Sequence, residues 1–477
     1  MADALTVAPP SRTPPLRRWR DFRLIPAFDK DARAIALAQT RIGRLLLFAI
    51  MLVLARGDLA LTATIGFGAA VAYLPRRRAL LMIVATVSLI SFGPMLAGGS
   101  PPSPIAVVDT FSIFAFTAIL LAIARRTGRR GPFARPVPTL FVAIGALATL
   151  GSLPMLGATF QAIVWSAATT LAASMWFIAY ALANTTGRQA KPAAQHLGVL
   201  HPFWGSTTVP SGKGAAYLAK FEARTDAELA VTQIKAAKLL LWAKLLLVAG
   251  LSFHALMHVQ GGIPTLAEAV AALAADHPWS RTLSIEAIPV DFIDNLFSLA
   301  VMGHVFVACC RYAGFRIPRN MCRPLEAQSI AEFWNRYYFY FKELLVDFFF
   351  LPAFSRLQGW PARMRVLAAT FCAAGLGNYL FHFFRDIDLV RTLGPAQAII
   401  GSQTYAFYCL LLSLGIACSQ LIGATSASSQ KSSIGRIASR FRVIGFYCLV
   451  SLFAYDGRTL TLQDHFHFLF YVLGITA

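Results

Sequence analysis

Charge is what this chain has least of. Only 14% of its 477 residues are Asp, Glu, Lys or Arg, while 57% are hydrophobic and the mean hydropathy is +0.60; soluble domains carry about 25% charged residues. That leaves too little polar surface to coat a soluble core of this size, so the composition is that of an integral membrane protein. Acidic residues are scarcer still: 22 Asp and Glu stand against 43 Lys and Arg, a formal net charge of +21. Such an excess fits a nucleic-acid binder or a membrane protein with basic loops on one side. The chain also lacks any C-x-x-C pair. Its cysteines (Cys309, Cys310, Cys322, Cys372, Cys409, Cys418 and Cys448) fall almost entirely in apolar runs, as small packing residues do. Cys322, in a basic loop, is the one whose reactivity merits a test. The Pro- and Arg-rich stretch up to Pro26 has no apolar core, so a cleaved signal peptide is not expected there.

What the chain does have is a succession of apolar runs. A bilayer crossing needs roughly 20 predominantly apolar residues. Runs at 43–55, 59–75, 79–97, 105–124, 137–153 and 160–183, then at 239–259, 289–310, 364–384, 397–422 and 442–455, predict about eleven spans in an all-α polytopic fold. The first is short and leans on Arg44 snorkelling, so 43–75 also reads as a broken hairpin. The aromatic run 337–354 carries Lys342, Glu343 and Asp347, which predicts an interfacial or re-entrant helix rather than a plain span. The expected organisation is a cytosolic tail and surface segment (1–42), an N-terminal set of transmembrane helices (43–190), a cytosolic loop with an amphipathic helix (191–238) and a C-terminal core (239–477).

The position of the charges decides between the two classes. With the N-terminus cytosolic, Lys and Arg gather in 1–44, 76–78, 125–135, 188–244, 311–365 and 431–442. Only Arg56, Arg281, Arg385, Arg391 and Arg458 fall elsewhere. This is the asymmetry that orients helices in a bilayer, and no basic–aromatic stripe outside these loops supports a nucleic-acid partner.

Several polar motifs invite chemistry. His254 and His258 share a helix face at the end of one apolar run, a spacing that suits a metal. Membrane di-iron enzymes need several His clusters, however, and the remaining histidines are scattered, so no metal is expected and the pair reads as pathway-facing or interfacial. His465 and His467, two apart, point to different helix faces and read as interfacial packing. Ser211-Gly-Lys-Gly214 lacks the spacing of a phosphate loop and reads first as a Gly-rich turn, with a backbone cradle for a CoA phosphate as the alternative. The segment 311–354 starts with a basic, Pro-punctuated turn; Ser329 then precedes Glu332 by three, the spacing of a capping box that opens a helix.

That segment resembles the membrane-bound O-acyltransferase family, in particular its bacterial branch of alginate O-acetyltransferases and teichoic-acid D-alanyl transferases. The family pattern G-F-x-x-P-x-N-F-x-x-P-Y is met by Gly314-Phe-Arg-Ile-Pro318-Arg-Asn320-Met-Cys-Arg-Pro324-Leu, S-I-x-x-F-W-R-R-W-H by Ser329-Ile-Ala-Glu-Phe-Trp334-Asn-Arg336-Tyr-Tyr338, and D-Y-x-x-x-P-L by Asp347-Phe-Phe-Phe-Leu-Pro352. Asp294-Asn-Leu-Phe-Ser298 and Ser451-Leu-Phe-Ala-Tyr-Asp-Gly-Arg458 are weaker matches, and the resemblance covers 289–477. Two landmarks differ. Tyr338 stands where the family has His, and Asn378 stands at the ungapped position of the catalytic His in G-L-W-H-G, with His382 one turn further on. Either the base has moved by a turn or the chain is a degenerate member. A His in so apolar a segment favours the first.

The resemblance implies a catalytic core at 239–477 that moves an acyl group from a cytosolic thioester, acyl-CoA or an acyl carrier, to a hydroxyl of an envelope glycan, lipid or protein. His382 is the implied general base, with Asn378 orienting it or donating to the oxyanion. Arg316, Arg319, Arg323, Trp334, Arg336 and Tyr338 are the implied donor- and substrate-binding residues, although positive-inside bias explains Arg316, Arg319 and Arg323 equally well. No cofactor beyond the thioester donor is implied, and a periplasmic partner is compatible with the bacterial inner membrane as location. Two other classes remain: a transporter or flippase of a lipid-linked precursor, disfavoured by the lack of an internal repeat, and a non-catalytic partner subunit.

Overall fold

The computed structural model describes residues 24–96, 98–99, 104–128, 131–185, 191–205, 213–425, 432–454 and 460–475. Among them the regular elements are all helical, with one isolated antiparallel bridge between Glu222 and Phe315. Six helices are long and apolar enough to cross a bilayer: α1 (Val107–Thr127), α2 (Ala158–Ala183), α3 (Asp226–Gln260), α4 (Arg281–Tyr312), α5 (Ala362–Arg385) and α6 (Gln403–Ile422). Two bent pairs raise the number to 8 if each is one span: Ala32–Gln39 with Arg41–Leu54, at 97°, and Leu59–Tyr73 with Pro75–Gly93, at 107°. Large apolar side chains such as Leu45, Val53, Val142, Val248, Leu251 and Phe441 lie on the outside, where a soluble protein keeps charge. The chain is a polytopic helical protein.

The described spans are fewer than the eleven apolar runs for identifiable reasons. Arg41–Leu54 (14 residues) and Leu59–Tyr73 (15 residues) are each short of a bilayer, and the turn that joins them passes through Gly57, whose φ of 87° suits glycine. Pro136–Gly151 has only 16 residues, and Ser433–Ser451 carries Arg436, Arg440 and Arg442 within its length. The aromatic run 337–354 is broken into short pieces: Ile330–Tyr337, Phe339–Leu345, a π-helical Val346–Phe350 and Leu351–Arg356. In contrast, α3 runs unbroken through residue 238 from a Thr225 cap, whose hydroxyl accepts from the Glu228 N–H at 3.1 Å.

Most of the segments expected to be basic and cytosolic meet at one end of the bundle. Arg44 pairs with Asp226 at 3.2 Å, Arg78 with Glu222, Arg316 with Glu228 at 2.9 Å, and Lys238 with Asp29 at 3.4 Å. The opposite end of α3 is about 50 Å away, since its 35 residues each rise about 1.5 Å.

The loop after α4 is folded tightly against this end. Gly314 takes a φ of 96°, its carbonyl accepts from Ala223 N–H at 2.9 Å, and Arg316 N–H donates to the Phe221 carbonyl at 2.7 Å. Buried Asn320 then accepts from the Tyr340 N–H through its side chain at 3.2 Å and from the Phe339 N–H through its carbonyl at 2.9 Å. The Pro318 carbonyl accepts from the Tyr340 hydroxyl at 2.8 Å. Gly314, Pro318 and Asn320 thus have a structural use: they hold the start of the aromatic helix. Residues 1–23, Ser211 and Tyr455–Arg458 lie outside the described residues.

Candidate functional site

α5 is not a uniform helix. It is α-helical over Ala362–Thr370, π-helical over Phe371–Gly377 and α-helical again over Asn378–Arg385. A π-segment adds a residue to the turn and so re-aims every side chain beyond it. The residues beyond this one include Asn378 and His382. The second π-segment, Val346–Phe350, packs on the first, and Gly377 permits it: a Cβ there would lie 2.6 Å from the Phe349 ring.

A cavity of about 220 Å³ lies between α4, α5, α6 and the aromatic helices. Leu299 and Met302 line it from the middle of α4, Tyr405 and Tyr408 from α6, and Asn378, Phe381, His382 and Arg385 from α5. Trp334, Tyr337, Tyr338 and Phe341 complete the wall. The aromatic helix therefore enters the bundle to the depth of Leu299 and Met302, as a re-entrant element rather than an interfacial one.

The wall is aromatic with a few polar edges. The Tyr405 hydroxyl donates to Asn378 Oδ1 at 3.3 Å, and the His382 ring lies against Tyr405 with centroids 4.2 Å apart. Arg385 is forked onto Asp386 at 2.9 and 2.6 Å, so its charge is matched at the rim. Asn378 Nδ2 and His382 Nδ1 are both buried and have no hydrogen-bond partner among the described residues. Leaving a polar atom so costs about 1–3 kcal/mol, and these two, one turn apart, offer a donor and a ring nitrogen to the cavity.

Four of the residues singled out in the sequence meet here: Trp334, Tyr338, Asn378 and His382. The other four do not line the cavity. Arg316 is exposed and paired with Glu228, and Arg319 is exposed. Arg323, in the left-handed region at φ 49°, pairs with Glu326 at 3.5 Å. Arg336 turns away to Glu332 at 2.6 Å, a partner one helical turn back on its own helix. Ser329 caps that helix as expected, accepting from the Glu332 N–H at 3.1 Å, but the Glu332 carboxylate accepts from Gln328 N–H at 2.7 Å instead of completing the box.

Sequence reasoning missed Tyr405, Tyr408, Arg385, Leu299 and Met302. Tyr405 and Tyr408, three apart in an otherwise apolar run, were a usable signal; Leu299 and Met302 carried none. No family model matches this chain, and no curated protein matches it either.

Proposed function

We propose that the chain is a membrane O-acyltransferase with its reacting centre in the cavity between His382 and Trp334. The observation that carries the proposal is the pairing of two unpartnered polar atoms, His382 Nδ1 and Asn378 Nδ2, inside a mainly aromatic wall. An alcohol is far too weak an acid to attack a thioester unaided. The neutral imidazole of His382 takes its proton as the oxygen attacks the carbonyl carbon, and the Asn378 amide donates to the oxyanion that forms. The C–O bond forms, the C–S bond breaks, and the imidazolium returns the proton to the leaving thiolate. The aromatic wall keeps water away, which favours transfer over hydrolysis.

The basic end of the bundle is taken as cytosolic, with the N-terminus on that side and the protein in a bacterial inner membrane. The acyl group then arrives from the cytosol, and a glycan or lipid hydroxyl meets it from the other side. Arg316, Arg319 and Arg323 belong to the surface that a donor's phosphates first meet, and not to the chamber. The test is transfer from a radiolabelled acyl-CoA to envelope extracts by the detergent-purified protein. His382→Ala is expected to remove nearly all of it while the variant elutes as folded protein; full activity in that variant overturns the proposal.

A further inference from the structure

At the end of α3 remote from the basic cluster, the sequence's H-x-x-x-H pair gains a third member. Asp294 Oδ2, on α4, lies 3.0 Å from His254 Nδ1 and 2.9 Å from His258 Nε2. The two rings are 4.5 Å apart between centroids. The helix that carries His258 is π-helical over Ala255–Gln260, which sets the histidines' relative direction apart from that of an ordinary i, i+4 pair.

The hydrogen bonding constrains what sits between them. His258 Nδ1 lies 2.7 Å from the Ile263 carbonyl oxygen. A carbonyl only accepts, so Nδ1 carries a proton. In a neutral ring Nε2 is then a lone pair, aimed at a carboxylate oxygen 2.9 Å away. Two lone pairs hold that geometry only if a cation joins them. The cation is a second proton, carried by the ring or by the carboxyl group, or a metal ion.

The surroundings favour the metal. Three ligand atoms, two imidazole nitrogens and one carboxylate oxygen, lie within 4.8 Å of one another. An Nδ1–H bonded to a backbone carbonyl is the outer contact that fixes a ligating histidine's tautomer and direction. In a tetrahedral zinc site with bonds of about 2.0–2.1 Å, ligand atoms stand roughly 3.3 Å apart, so an opening of a few tenths of an ångström admits the ion. Asp291, one turn back on α4 and engaged by Asn295 Nδ2 at 2.9 Å, adds a nearby carboxylate. His258 is well shielded, whereas the His254 side chain is 52% exposed and leaves a route in.

We infer that His254, His258 and Asp294 bind one divalent transition-metal ion, best matched by zinc, with a fourth position left for water. This inference is independent of the acyltransferase proposal. The experiment uses the full chain purified in detergent, stripped with a chelator and titrated with zinc chloride, then separately with cobalt chloride. One equivalent of zinc per chain is expected, together with the intense visible absorption of tetrahedral cobalt. His258→Ala and Asp294→Asn should lose both signals. His304→Ala, whose ring engages the Ala300 carbonyl at 2.6 Å further along α4, should keep them. Failure of the unmodified chain to take up either metal overturns the inference, as does unchanged binding in the two ligand variants. The cobalt spectrum of the unmodified chain decides even if a variant does not fold.

Discussion

His382 and His258 are the same side chain in opposite circumstances. Both are associated with a π-helical segment, His382 just beyond Phe371–Gly377 and His258 within Ala255–Gln260. Around His382 the neighbours are aromatic rings and an amide, and one ring nitrogen is left without a partner. Around His258 both nitrogens are committed, one to a carbonyl and one to a carboxylate. An imidazole with a spare nitrogen and no counter-charge is suited to passing a proton. An imidazole fixed in tautomer and aimed at an anion is suited to holding a cation. The environment, not the residue, sets the chemistry.

Substitutions separate the two histidines. The largest effect belongs to His382→Ala, expected to lower kcat for acyl transfer by about 10²–10⁴-fold, the range for losing a general base, while one equivalent of zinc is still bound. Asn378→Ala comes next, at about 10²–10³-fold in kcat if its amide meets the oxyanion; a change confined to KM would instead mark it as a binding residue.

Lys213→Met acts on the frame of the His382 chamber alone. Lys213 bridges Glu343 and Asp347 at 2.8 and 2.9 Å, and Asp347, in the π-segment behind Gly377, also accepts from the Tyr180 hydroxyl at 2.9 Å. Removing the cation leaves Asp347 without its counter-charge and Glu343 with Lys342 alone, at 2.6 Å, a loss of about 3 kcal/mol for largely buried groups, read as thermal stability in detergent. The same cluster predicts a pH profile. Burial alone would lower the Lys213 pKa, but hydrogen bonds to Glu343 and Asp347 outweigh it and raise the value; burial alone would raise Glu343, but Lys213 and Lys342 hold it down. The lysine's contribution is complete below its unfolded value of about 10.4 and is lost as pH rises through the higher folded one. The glutamate's is complete above about 4.3 and is lost as pH falls through the lower folded one. Stability from this cluster should therefore be flat between those limits and fall beyond each, and Lys213→Met should flatten the alkaline fall.

Gly377→Ala should cost about 1–3 kcal/mol by forcing Phe349 aside, with a loss of transfer that exceeds what stability alone explains and no change at the His258 site. Arg316→Ala is the smallest, with thermal stability essentially unchanged, because an exposed ion pair contributes little; a large loss of transfer there would return the basic loop to the reacting centre.

The helical class, the apolar runs and the Ser329 cap were legible because they rest on local pattern; Trp334, Tyr338, Asn378 and His382 stood out only by resemblance, and packing is what brings them to one cavity. The bends and π-segments were not. They arise from packing, as where the Phe349 ring needs Gly377, and no local propensity announces them. Arg336 looked like a binding residue because sequence alone does not reveal that Glu332 satisfies it. Asp294 was visible only as part of a weak family-like run, since 36 residues of chain separate it from His258.

The π-segment in α5 also makes chain length a variable of the site. An α-helix turns by about 100° per residue. Deleting a single residue within Phe371–Gly377 while keeping the helix continuous would swing His382 and Asn378 by about that angle relative to Trp334 and Tyr405. No atom of the site itself need change for its chemistry to be dismantled. Insertions and deletions in this one stretch are therefore as consequential as substitutions in the cavity wall, and related chains that keep every lining residue but differ there in length should not be expected to share its activity.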